Sequence, residues 1–194
     1  MSELIIHSDV VKFASVAFQE LLACTQTLRK LHIFGSAYEE CDEGQLAAIA
    51  SGFANNTTLR DLKFQDWREA DLAPVLTVLR DHPALQKLYL TADTSRYLPS
   101  LSGLEVLLRS RDSKVKELVL ERMNTSTVGL HPVIRELGRN TTVTNLVIRG
   151  SVFSRENVQQ LQSMLRQNTA LESLVLESSA LGSAGLAEIA PVLY

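Results

Sequence analysis

Metal ligation or nucleophilic catalysis in this chain would fall first to four histidines and two cysteines: His7, His32, His82, His131, Cys24 and Cys41. A zinc site needs ligands in short pairs, such as Cys-x-x-Cys or His-x-x-x-His, so that one turn can present two of them to the same ion. The histidines and cysteines are scattered without any such pairing. A thiol nucleophile needs an imidazole beside it, and no histidine stands in a fixed relation to Cys24. His82 precedes Pro83 where a helix should end, and His131 precedes Pro132 where one should begin. Both therefore read as turn residues. The phosphate-cradling loops G-x-G-x-x-G and G-x-x-x-x-G-K-[ST] are missing, as is the nucleophile elbow G-x-S-x-G. No catalytic, cofactor-binding or metal-binding residue is expected, and the chain reads as a non-enzyme.

Recognition is the chemistry that remains, and the bulk composition bounds it. The 194 residues suit one domain or a short solenoid, and 45% hydrophobic with 21% charged content is that of a globular protein. A net charge of −3 lacks the basic excess of a nucleic-acid binder. No run of about 18 apolar residues offers a membrane span. Two cysteines cannot build a disulfide framework, and Met1–His7 has no basic stretch leading into a long apolar run. A cytoplasmic protein is expected, or one delivered into a host cell by a bacterium.

Side chains can recognise a partner only where backbone elements hold them, and those elements recur. Six segments share apolar residues at three fixed positions: Leu28-x-x-Leu31-x-Ile33, Leu59-x-x-Leu62-x-Phe64, Leu85-x-x-Leu88-x-Leu90, Val115-x-x-Leu118-x-Leu120, Val143-x-x-Leu146-x-Ile148 and Leu171-x-x-Leu174-x-Leu176. Successive first anchors lie 31, 26, 30, 28 and 28 residues apart. An apolar stripe at helical spacing precedes each later segment, as in Leu46, Ile49, Ala50, Phe53 or Leu130, Val133, Ile134, Leu137. Each stripe starts 13 or 14 residues before the next strand anchor (59 − 46, 85 − 72, 115 − 101, 143 − 130, 171 − 158). Strand and helix thus form one repeating unit, too small to bury its own apolar face and stable only when stacked.

Punctuation agrees with that division. Asn56, Asn140 and Asn168 stand three residues before an anchor, where asparagine tolerates the left-handed turn that ends a helix. Pro74, Pro99 and Pro132 fall near expected helix starts. Asn55, Asn56, Asn124 and Asn140 also match glycosylation sequons, which the missing secretory signal makes idle.

L-x-x-L-x-L followed by a helical half, at a period near 28, resembles the leucine-rich repeat of the ribonuclease-inhibitor type. The unit opening at Leu171 matches the whole-repeat pattern best. The resemblance implies an α/β solenoid, a horseshoe segment with parallel strands on the concave face and helices on the convex face. It covers one domain, residues 1–194, with 1–27 as a partial first repeat and strand-first repeats starting near 28, 59, 85, 115, 143 and 171. One departure stands out. The family usually sets Asn or Cys three residues after the last strand anchor, where this chain has Ser36, Trp67, Asp93, Met123, Ser151 and Ser179. Its turns must close in another way.

Alternation along a strand sends the residues flanking the anchors to the open face. Its middle column reads His32, Lys63, Tyr89, Val119, Val147, Val175, an apolar stripe in its second half bordered by Glu117, Glu121, Arg149 and Glu177. An apolar centre with a charged rim is the composition of a protein-binding patch. The expected binding residues are Lys63, Tyr89, Val119, Val147, Val175, Glu121, Arg149 and Glu177. Trp67 is a further one, or else a plug over its repeat. Thr91–Leu98 adds Arg96 and Tyr97 at the loop edge. The expected role is a protein-interaction module, with no cofactor, nucleic-acid or membrane partner. Resemblance to Ran GTPase-activating proteins implies an alternative, regulation of a small GTPase through Arg96, Arg122 or Arg149. A spacer without a ligand is a third. The chain ends at Tyr194 without a polar cap, as expected of a fragment of a longer protein or an end covered by a partner.

Overall fold

The computed structural model describes residues 2–35, 41–67, 69–91, 102–123, 130–151, 153–178 and 181–192. Seven strands form one parallel sheet in chain order: β1 (Glu3–His7), β2 (Lys30–Phe34), β3 (Asp61–Gln65), β4 (Lys87–Thr91), β5 (Glu117–Glu121), β6 (Asn145–Arg149) and β7 (Ser173–Glu177). Helices alternate with them: α1 (Ser8–Phe13), α2 (Ser15–Cys24), α3 (Glu43–Asn55), α4 (Glu69–Leu79), α5 (Ser102–Arg109), α6 (Leu130–Arg139), α7 (Arg155–Gln167) and α8 (Gly182–Ile189). Neighbouring helices in the chain pack on one another from α2 to α8. None of the helices among the described residues is long and apolar enough to cross a membrane.

The register is one-to-one. Leu31, Leu62, Leu88, Leu118, Leu146 and Leu174 are consecutive Cα partners across the sheet, and so are Ile33, Phe64, Leu90, Leu120, Ile148 and Leu176. These rungs bury one strand face against the helical stripes, where Phe53 of α3 meets Phe64 of β3 with ring centroids 5.9 Å apart. The first unit is fuller than expected. Leu4 and Ile6 of β1 extend the two rungs by one place. Pro74 lies inside α4, beyond the first turn where it was expected.

The entries of β2 to β7 and several strand exits among the described residues are closed by backbone rather than by the missing loop asparagines. At the entry, one carbonyl takes two successive N–H groups from the next unit: Arg60 and Asp61 donate to Arg29, and Gln86 and Lys87 donate to Arg60. At the exit, Asp66, Arg122, Gly150 and Ser178 adopt positive φ of 59°, 55°, 60° and 51°. The N–H of Arg122 then donates to Arg149 O (2.7 Å) and that of Gly150 to Glu177 O (3.0 Å), which extends the ladder by one rung. The expected Asn positions hold buried Trp67, Met123 and Ser151 instead. Ser36, Asp93 and Ser179 lie outside the described residues, as do Pro99 and Asn124.

The helix-exit asparagines are extended, not left-handed: Asn56 has φ −80° and ψ 133°, and Asn168 φ −75° and ψ 126°. Their side chains make the turn. Asn56 Oδ1 accepts from the N–H of Thr58 and Leu59, Asn140 Oδ1 from Thr142 and Val143, and Asn168 Oδ1 from Ala170 and Leu171. Each Nδ2 donates backwards, to Leu22 O, Leu108 O and Leu137 O of the preceding helix. Buried in this way, Asn56 and Asn140 cannot serve as glycan acceptors. His82 holds the same place at the end of α4. Its Nδ1 accepts from Ala84 N (3.2 Å) and Leu85 N (3.1 Å), so the imidazole is neutral with its proton on Nε2.

Burial pushes the His82 pKa down to about 4, against a smaller opposing effect of the Asn56 backbone. An unfolded histidine titrates near 6.5, so the folded chain binds fewer protons between pH 6.5 and 4. The stabilisation is complete above pH 6.5 and is lost as pH falls towards 4, by roughly 3 kcal/mol in all. His82→Asn restores the two accepted bonds with a group that does not titrate. Denaturant melts should show the variant within about 1 kcal/mol of the parent at pH 7 and more stable by roughly 2 kcal/mol at pH 4.5. Parallel pH profiles for the two proteins would refute this role.

Candidate protein-binding face

The strand face turned away from the helices carries three in-register rows, and no described element covers it. The first row alternates in sign. Lys30 Nζ lies 3.9 Å from Asp61, and Lys87 Nζ donates to Glu117 Oε1. Such cross-strand pairs hold long side chains upright at modest energy. In the third row Arg149 Nε donates to Glu177 Oε2 at 2.7 Å, while Glu121 pairs with Arg122 at 3.5 Å.

The middle row runs Ile5, His32, Lys63, Tyr89, Val119, Val147, Val175. Lys63 Nζ sits 4.4 Å from the Tyr89 ring centroid, a cation–π contact that keeps both side chains over the sheet. His32 titrates below its ordinary value, chiefly through burial and secondly through the Lys63 charge. It therefore stays neutral at pH 7.

Tyr89, Val119, Val147 and Val175 differ in access. Val175 is 39% exposed and Tyr89 half-buried, but Val119 is only 2% exposed and Val147 9%. The expected open stripe is thus a closed floor between taller charged rows, with apolar surface available at its ends. Val119 and Val147 stand apart from the main core, on the opposite side of the sheet. Short valines between rows of Lys, Glu and Arg are shaded by their neighbours' stems. Glu121, Arg149 and Glu177 stand in the third row beside this floor.

Trp67 does not belong to the face. It is 8% exposed, packs at 5.2 Å on Phe64 and has Lys12 Nζ 5.8 Å from its ring, so it plugs the third unit's turn. Arg96 and Tyr97 lie outside the described residues. Sequence reading missed the β1 end, where Ile5 is 58% exposed and Phe34 37%, and the His7 ring meets Phe34 edge-on at 5.1 Å. The signal was available: Met1, Leu4 and Ile6 repeat the three-anchor spacing.

Among the described residues no group of three or more His, Cys, Asp or Glu could hold a metal ion. No protein-family model matches the chain, and no curated protein matches it in sequence.

Access separates two kinds of substitution. Val119→Asp places an unpaired charge on the closed floor and should cost roughly 3 kcal/mol or more, read as a large drop in thermal midpoint. Tyr89→Ala removes a half-buried ring and its contact with Lys63, and should cost about 1 kcal/mol. Equal losses would contradict the burial difference.

Proposed function

We propose that the chain is a leucine-rich repeat module of the ribonuclease-inhibitor type that binds a partner protein through the concave strand face. The carrying observation is the in-register middle row, apolar at Tyr89 and Val175, floored by Val119 and Val147 and bordered by Lys87, Glu117, Glu121, Arg149 and Glu177. The one-to-one strand register and the spacing of the three anchors support the repeat type. Apolar contact at the row's ends would supply affinity, and the mixed charges would set orientation and exclude ill-matched partners.

Regulation of a small GTPase gains less support. Arg149 and Arg122 are each paired with a carboxylate, which would have to release the guanidinium before it could reach a phosphate.

The test must spare the closed floor. A photoreactive residue at Lys63, Tyr89 or Val175 should crosslink the partner, and one at exposed Glu156 on α7 should not. With a purified partner, Tyr89→Ala combined with Val175→Asp should weaken binding at least about tenfold while the fold is retained. Crosslinks confined to the helix side, with affinity unchanged in the double variant, would place the interface elsewhere.

A further inference from the structure

We infer that a cavity at the C-terminal ends of α5 and α6 is a binding site for a phosphate group, independently of the strand-face reading. The cavity measures about 430 Å³ and is walled by Arg109, Arg111, Arg135 and Arg139 around Glu136. Two of the four guanidinium groups are fixed in place. Glu136, only 5% exposed, accepts through Oε1 from Arg109 Nη2 (3.1 Å) and from Arg135 Nη2 (3.2 Å) and Nε (3.3 Å). Glu105 accepts from Arg109 Nη2 at 3.2 Å and lies 3.9 Å from Arg135. None of these pairs takes up Arg111 or Arg139.

Counting charges, four arginines against Glu136 and Glu105 leave an excess of two positive charges (4 − 2), in a chain whose net charge is −3. Arginine at the last turn of a helix ordinarily offsets the exposed carbonyl ends, and that accounts for Arg109 and Arg139. It does not account for Arg135 in the body of α6 or for Arg111 beyond the end of α5. A phosphate dianion matches both the excess charge and the forked donors, whereas a carboxylate would neutralise half of it. Leu108 is the single apolar residue of the wall, so a greasy ligand has little to contact. The phosphate can arrive on a small molecule or on a phosphorylated side chain of a protein.

Thermal unfolding of the full chain, at equal ionic strength in chloride, tests the site with two probes. These are inorganic phosphate and a phosphoserine peptide, the latter beside its unphosphorylated form. A saturable rise in unfolding temperature with either probe is expected. Saturation by phosphate alone assigns the site to a free anion, and a response only to the phosphopeptide assigns it to a protein-borne group. Arg111→Ala with Arg139→Ala, both exposed, should weaken the fitted affinity at least about tenfold with the unliganded midpoint kept. The proposal is overturned if neither probe exceeds chloride, or if the double arginine variant binds as well as the parent. Equal loss in the remote pair Arg29→Ala with Arg60→Ala, or tighter binding of single-stranded RNA than of the phosphopeptide, would also overturn it.

Discussion

Strict one-to-one pairing of parallel strands is the constraint on which the rest of this molecule depends. Side chains alternate with period two, so a slip of one residue at any step would turn Leu62, Leu88, Leu118 and Leu146 out of the core and bring charged neighbours in. The open face inherits the same discipline. Lys63 meets Tyr89, Lys87 meets Glu117 and Arg149 meets Glu177 because the buried rungs have already fixed who stands beside whom. A surface assembled from separate units is thereby as regular as its interior.

Register alone would not hold if the units could splay at their corners. Three devices prevent that: a carbonyl shared by two N–H groups where β2 to β7 begin, a left-handed residue where several strands end, and an Asn or His side chain after α3, α4, α6 and α7. The left-handed conformation costs a residue such as Asp66 or Arg122 roughly 1 kcal/mol relative to glycine, offset by the extra rung of the ladder. Among the described strand ends that show it, Gly150 alone is free of that cost. The histidine is the costliest variant of the corner, since it works only when uncharged.

Legibility in the sequence followed the period of the pattern. Leucine spacing revealed every strand from β2 onward, because an anchor at three fixed places is a signal that helices and loops do not mimic. The β1 unit escaped because its helical part is split into α1 and α2, which breaks the stripe expected after a strand. Asn56, Asn140 and Asn168 were found at the right places for the wrong conformational reason, since spacing cannot distinguish a left-handed backbone from a side-chain turn. Burial of Val119 and Val147 was invisible for a different cause. Which of two alternating faces is open can be read from a strand, but how deeply its neighbours shade a short side chain depends on three strands at once. The arginine cavity was missed because its residues come from two adjacent units, and no spacing within either one brings them together.

The corner asparagines also give the molecule a direction. Each amide group reaches back to the helix made before it, from Asn56 to Leu22, from Asn140 to Leu108 and from Asn168 to Leu137. A chain leaving the ribosome amino end first therefore presents every new corner to a helix that has already been synthesised. The acceptor is waiting when the donor arrives, and growth of the ordered stack can keep pace with translation without waiting for the last residue.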